Sequence, residues 1–126
     1  MGRMILLVGL GGFLGSIARY GMGLGFSKIF PLNFPYSTFI VNVLGCLLIG
    51  IFFGLSEKSE WMNEELRIFL TIGFCGGFTT FSTFAYENLS MLNNQNYIGF
   101  FLYSAGSFLL GLLAVFGGLT LTKIIN

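Results

Sequence analysis

Four long apolar stretches constrain this chain more than any other feature. They run over about residues 4–26, 36–55, 66–91 and 97–124, and each reaches the roughly 20 residues that a helix needs to cross a hydrocarbon core. In lipid every backbone N–H and C=O must be paired within its own segment, so spans of this length are helical. The expected fold is therefore all-α, with four transmembrane helices in one membrane domain over residues 1–126. Composition agrees. Only 9% of the residues are charged, against about 25% in soluble domains. The net charge of +1 leaves no basic footprint for nucleic acid.

The links are short and polar. The first carries Pro31 and ends at Pro35. The second, residues 57–65, holds Glu57, Glu60, Glu64 and Glu65, four of the five acids, with Trp61 as an interfacial anchor. The third is Asn93-Asn94-Gln95-Asn96. Four helices put both termini on one side with Arg3, Lys58, Arg67 and Lys123, which favours cytoplasmic termini.

Several other readings fail on named residues. Arg3 followed by an apolar run resembles a signal peptide, but the run ends in Ala18-Arg19-Tyr20 with no small-residue cleavage site. Myristoylation needs a hydroxyl at position 6, which is Leu6. The glycines at 9, 11, 12 and 15 do not make a dinucleotide loop, because position 14 is Leu14 and no acid follows before Glu57. The chain has no His and no Asp. Cys46 and Cys75 form no CxxC pair and are expected to be small buried residues. A catalytic set cannot be assembled from what remains, so an enzyme is not expected. The glycine pairs Gly11/Gly15, Gly21/Gly25 and Gly50/Gly54 have the spacing that lets membrane helices pack closely. Four helices make a thin bundle, so an oligomer is expected.

Residues 73–84 break the pattern of a greasy span. They read Gly-Phe-Cys-Gly-Gly-Phe-Thr-Thr-Phe-Ser-Thr-Phe. Gly76-Gly77 weakens a helix, and Thr79 and Thr80 divert backbone hydrogen bonds. An interrupted backbone with hydroxyls at membrane depth has to line something polar. Freed carbonyls suit a hard cation such as sodium. Phe81 and Phe84 are three apart and share a face. A phenyl ring has a positive edge that attracts an anion without a full charge to trap it. Ser82 and Thr83 fall between those rings.

Other polar residues lie within the spans. Asn42 sits inside the second, as an interhelical hydrogen bond or as an uncharged donor to an anion. Tyr103 and Ser107 are four apart on the fourth, a polar track that continues to Gly111. Arg19, late in the first, either snorkels to the interface or attracts anions to a vestibule. Glu87 either marks the end of the embedded part of the third span or forms a pore mouth.

Three segments carry a family resemblance. They are Gly11-Gly12-Phe-Leu-Gly15-Ser-Ile-Ala-Arg19-Tyr20, Thr38-Phe-Ile-Val-Asn42-Val-Leu-Gly45, and the 73–84 run. Together the chain resembles the small bacterial fluoride channels called Fluc or CrcB over essentially its whole length. That resemblance implies an antiparallel, dual-topology homodimer in the bacterial plasma membrane, with two fluoride pores. It implies a structural sodium ion bound by the carbonyls of Gly76 and Thr79, and a pore formed by Asn42, Phe81, Phe84, Ser82, Thr83, Tyr103 and Ser107. Where the family often has a further hydroxyl on the last helix, this chain has Gly111. The rival is a small proton-coupled multidrug exporter, which needs a titratable carboxylate deep in its site. The first span has none, and Glu87 comes late in the third.

Overall fold

A computed structural model describes residues 1–31 and 33–125. Among them four helical spans are long and apolar enough to cross a membrane. Helix α1 covers Gly2–Ile29 and α2 covers Tyr36–Lys58. The third span is composite. It begins as α3 (Glu64–Ile68), widens into a π-helical segment (Phe69–Cys75), closes with a single turn, α4 (Gly76–Phe78), and restarts as α5 (Phe81–Asn93). Helix α6 covers Tyr97–Ile125. The all-α, four-span reading holds, with the interruption in the third span where paired glycines and threonines required it.

Local chemistry sets the boundaries. Pro31 follows the end of α1 and Pro35 precedes α2, as expected of a residue that cannot donate to a helical ladder. Asn63 caps α3, its side chain accepting from Leu66 N–H at 2.8 Å, and Glu64 and Glu65 suit the positive end of the helix dipole. Gln95 takes a positive φ of 59° in the turn between α5 and α6. Asn96 then accepts from Gly99 N–H at 3.0 Å to start α6. At the far end of α6, Lys58 Nζ donates to the carbonyls of Thr122 and Lys123 at 3.2 and 3.1 Å, covering acceptors that a helix C-terminus leaves free. Arg3 pairs with Glu65 at 2.6 Å on the same side.

The π segment was not foreseen. It begins at Phe69 and includes Thr71, whose hydroxyl donates to the Arg67 carbonyl at 2.7 Å. That carbonyl is the acceptor an α-helix would assign to the Thr71 N–H, so the competing hydroxyl favours a wider turn.

Two glycine pairs act as expected. A Cβ on Gly11 would lie 2.6 Å from the Phe69 carbonyl oxygen, and one on Gly15 would overlap the Phe74 carbonyl. Gly50 and Gly54 press in the same way on Val115 and Thr122 of α6. The third pair differs: a Cβ on Gly21 or Gly25 would meet nothing within 4 Å. Among the described residues, no other helix packs against these two glycines. Replacing Gly15 with Leu is expected to force α1 off the π segment at a cost of about 1–3 kcal/mol or more. The check is the yield of monodisperse protein in detergent, with Gly21→Leu as the tolerated control.

Little is buried. Val41, Cys75, Phe78 and Tyr103 are among the few enclosed apolar side chains, while Leu, Ile and Phe side chains lie exposed along α1, the third span and α6. A soluble protein could not carry such a surface; a bilayer supplies its solvent.

Candidate functional site

The site begins where the third span loses its backbone ladder. Thr79 and Thr80 are extended. The last bond of the first half runs from Thr79 N–H to Cys75 O at 3.0 Å, and the Thr79 hydroxyl reaches the same carbonyl at 2.9 Å. The next amide, Thr80 N–H, donates instead to Asn42 Oδ1 at 2.8 Å, and Asn42 Nδ2 donates to Thr80 O at 3.0 Å. One side-chain amide from α2 thus pairs both backbone groups of Thr80, much as a neighbouring strand would. The Thr80 hydroxyl then caps α5 by accepting from Thr83 N–H at 3.3 Å.

Those exchanges free particular carbonyls. In an unbroken helix the Gly76 carbonyl would accept from Thr80 N–H and the Thr79 carbonyl from Thr83 N–H. Both donors are used elsewhere. The Gly77 carbonyl accepts from Arg19 Nε at 3.2 Å. Among the described residues no three His, Cys, Asp or Glu side chains gather to hold a metal. The oxygens at the break are uncharged ones: the Gly76 and Thr79 carbonyls, the Thr80 and Ser82 hydroxyls and the Asn42 amide.

Beside the break lies a groove of about 520 Å³, lined by Asn42, Thr79, Phe81, Phe84, Ser104 and Ser107 among others. The rings of Phe81 and Phe84 sit 5.9 Å apart at 44°. Phe81 is 78% exposed in the single chain. Ser107 Oγ is buried and has no hydrogen-bond partner among the described residues, leaving its donor available to a ligand. Cys46, expected to be a buried inert residue, is half-buried and lines the same groove.

Tyr103 and Ser107 do not face the same space. Tyr103 is fully buried, and its hydroxyl donates to Glu87 Oε1 at 2.7 Å. The other carboxylate oxygen accepts from the Thr38 hydroxyl at 3.0 Å. Glu87 is therefore half-buried and tied to α2 and α6, more than a turn before α5 ends. Phe84 lies against Tyr103 with centroids 4.9 Å apart. This links the network to the groove.

Thr83 belongs to a second cavity of about 310 Å³, with Arg19, Ser37, Thr38 and Thr80. Glu87 lines a third, of about 500 Å³, near the loop end of the molecule. Thr80 is shared by the groove and the second cavity, and Ser27 and Ser37 by the second and third. The three spaces thus share lining residues from the break to the loop end. Ser82 is exposed, with its hydroxyl 3.5 Å from Thr80 Oγ1. Sequence reading had Thr80 diverting backbone hydrogen bonds, as its cap on Thr83 N–H does, but it missed the parts played by Thr38 and Ser104. Both carry a signal in their spacing: Thr38 lies one turn before Asn42 on α2, and Ser104 three residues before Ser107 on α6.

The comparisons with known proteins agree with this geometry. The family profile described as "CrcB-like protein, Camphor Resistance (CrcB)" matches residues 6–119. The chain is 45% identical over 121 residues to the fluoride-specific ion channel FluC of Phocaeicola vulgatus, covering 96% of this chain and 99% of the relative. It is 45% identical over 121 residues to the FluC of Flavobacterium psychrophilum, covering 96% and 98%. It is 47% identical over 119 residues to that of Gloeothece citriformis, covering 94% and 96%. With its four spans, its interrupted third helix and this breadth of similarity, the chain belongs to the CrcB-like family.

Proposed function

We propose that this protein is a fluoride-selective ion channel that passively exports fluoride across the cell membrane. The observation that carries the proposal is the groove at the break. It gathers an amide, hydroxyls and two phenyl rings, with no Lys or Arg among its lining residues. Fluoride is small and strongly hydrated. A pore has to replace its water with many donors and still release it, which neutral donors do better than a fixed positive charge. The free Nδ2–H of Asn42, the Ser107 hydroxyl and the positive ring edges of Phe81 and Phe84 are donors of that kind. Ser82, exposed beside Phe81, and Thr83, in the adjoining second cavity, add hydroxyls along α5, and the Tyr103–Glu87–Thr38 network fixes the wall behind Phe84. The curated relatives are named for the same ion.

The working unit in this reading is an antiparallel, dual-topology homodimer with two pores. Ile72, Gly76 and Phe81 lie exposed along the broken span. Freed carbonyls beside such residues cannot face hydrocarbon, where an unsatisfied group costs several kcal/mol. A second copy of this span supplies the cover. The Gly76 and Thr79 carbonyls would hold a structural sodium ion there, whose charge offsets the oxygen dipoles brought together. Arg19 lies at the edge of the second cavity and Glu87 at the third.

The test is fluoride efflux from liposomes in sodium, read with a fluoride-selective electrode, with chloride run in parallel. Flux of fluoride without chloride is expected; folded, sodium-loaded protein that passes no fluoride would defeat the reading. A proton-coupled exporter depends on its carboxylate, so Glu87→Gln separates the two. The amide can still accept from Tyr103 or Thr38, and the channel is expected to keep fluoride flux of the same order. Abolished transport in Glu87→Gln would favour the exporter.

A further inference from the structure

Among the described residues, Arg19 is the charged side chain that bonds to the break, and passage of an anion along the groove gives it no task. Its Nε donates to the Gly77 carbonyl across 58 residues of sequence. Helix α4 is a single turn of 3 residues, two of them glycine. A turn that short does not hold its own shape. On one side it is fixed through Thr80 by Asn42. On the other, α1 supplies two contacts to the same residue: the Arg19 bond, and the Gly12 backbone, so close that a Cβ on Gly77 would lie 2.5 Å from the Gly12 carbonyl oxygen. The Gly77 carbonyl lies in sequence between the freed carbonyls of Gly76 and Thr79.

The geometry points to Arg19 as a positioning residue, which clamps α4 so that the Gly76 and Thr79 carbonyls are held as cation ligands while the Gly77 carbonyl is kept out of the set. This rests on the sodium reading above. A positive charge beside a cation site weakens binding by Coulomb repulsion. The benefit of Arg19 there has to come from the carbonyl it fixes, and the N–H matters rather than the charge.

That distinction gives the test. Glutamine places its Nε2 the same number of bonds from Cα as the Nε of arginine, without the charge. Methionine keeps the length of the stem without any donor. The measurement is a sodium titration of the melting temperature of detergent-purified protein, which needs no transport, with sodium-dependent fluoride flux beside it. Arg19→Met is expected to raise the sodium midpoint at least about tenfold and reach wild-type flux at saturating sodium, while Arg19→Gln stays within about threefold of wild type. An unmoved midpoint in Arg19→Met overturns the clamp, as does Arg19→Gln failing as badly as Arg19→Met. Where Arg19→Met does not fold, Arg19→Gln decides alone: a midpoint within threefold supports the clamp and a tenfold shift overturns it. A wild-type protein indifferent to sodium in both measurements sinks the sodium reading and the clamp together, a signature distinct from the others.

Discussion

Asn42→Ala is expected to lose fluoride flux almost completely. Asn42 makes both hydrogen bonds that the Thr80 backbone has at the break, at 2.8 and 3.0 Å. Alanine removes both partners and leaves an N–H and a C=O unpaired at membrane depth. Each unpaired group costs about 1–3 kcal/mol. The cheapest escape is to rebuild the helical bond from Thr80 N–H to the Gly76 carbonyl, which closes the break and withdraws that carbonyl from any cation. The variant also takes the free amide donor out of the groove. Efflux should fall by roughly 100-fold or more, at about 1.4 kcal/mol per factor of ten. Asn42→Asp, which can still accept from Thr80 N–H but brings a negative charge into an anion path, should fail as fully. Wild-type flux in either variant would show that the break does not depend on this amide.

Phe81→Ile is expected to have the next largest effect, through chemistry alone. Isoleucine keeps apolar bulk but has no ring and no positive edge. Phe81 is highly exposed, so the loss costs the fold of the single chain little. A dehydrated anion deprived of one donor is destabilised by about 1–3 kcal/mol, or roughly 5- to 150-fold in rate at about 1.4 kcal/mol per decade. The informative readout is flux per folded protein, because melting temperature should move little. Phe84→Ile should lower flux and stability together, since the Phe84 ring also packs on Tyr103. A Phe81→Ile protein that conducts normally would leave the ring with a packing or assembly role only.

The break itself was legible in the sequence. Gly76-Gly77 followed by Thr79-Thr80 is a combination that a lipid-facing helix has no use for, and Asn42 stood out as an amide inside the second span. That Asn42 and Thr80 bond to each other was not legible, because the pairing joins a side chain to a backbone 38 residues away and exists only once α2 lies against the break. Tyr103 and Ser107 have the spacing of one helix face. The long phenol nevertheless reaches Glu87 on α5 while the short serine hydroxyl stays beside the groove. Spacing fixes a direction from the helix axis; side-chain length fixes what is reached. Gly21 and Gly25 show the opposite limit. Their spacing equals that of Gly11 and Gly15, and only the placement of neighbouring helices separates a packed pair from an open one. The π segment was not legible, since a single threonine within Phe-Leu-Thr-Ile-Gly-Phe-Cys does not by itself separate a wider turn from an α turn.

That segment carries a consequence for how the chain tolerates insertion and deletion. A π turn houses one more residue per hydrogen-bonded ring than an α turn. Phasing of everything downstream is therefore geared to the wide turns at Phe69–Cys75. Removing one residue there would let the coil tighten to an α turn and leave Phe81 and Phe84 nearly in phase, whereas the same deletion from α5 ahead of Phe84 would swing that ring by about 100° around the axis, without altering a single atom of it.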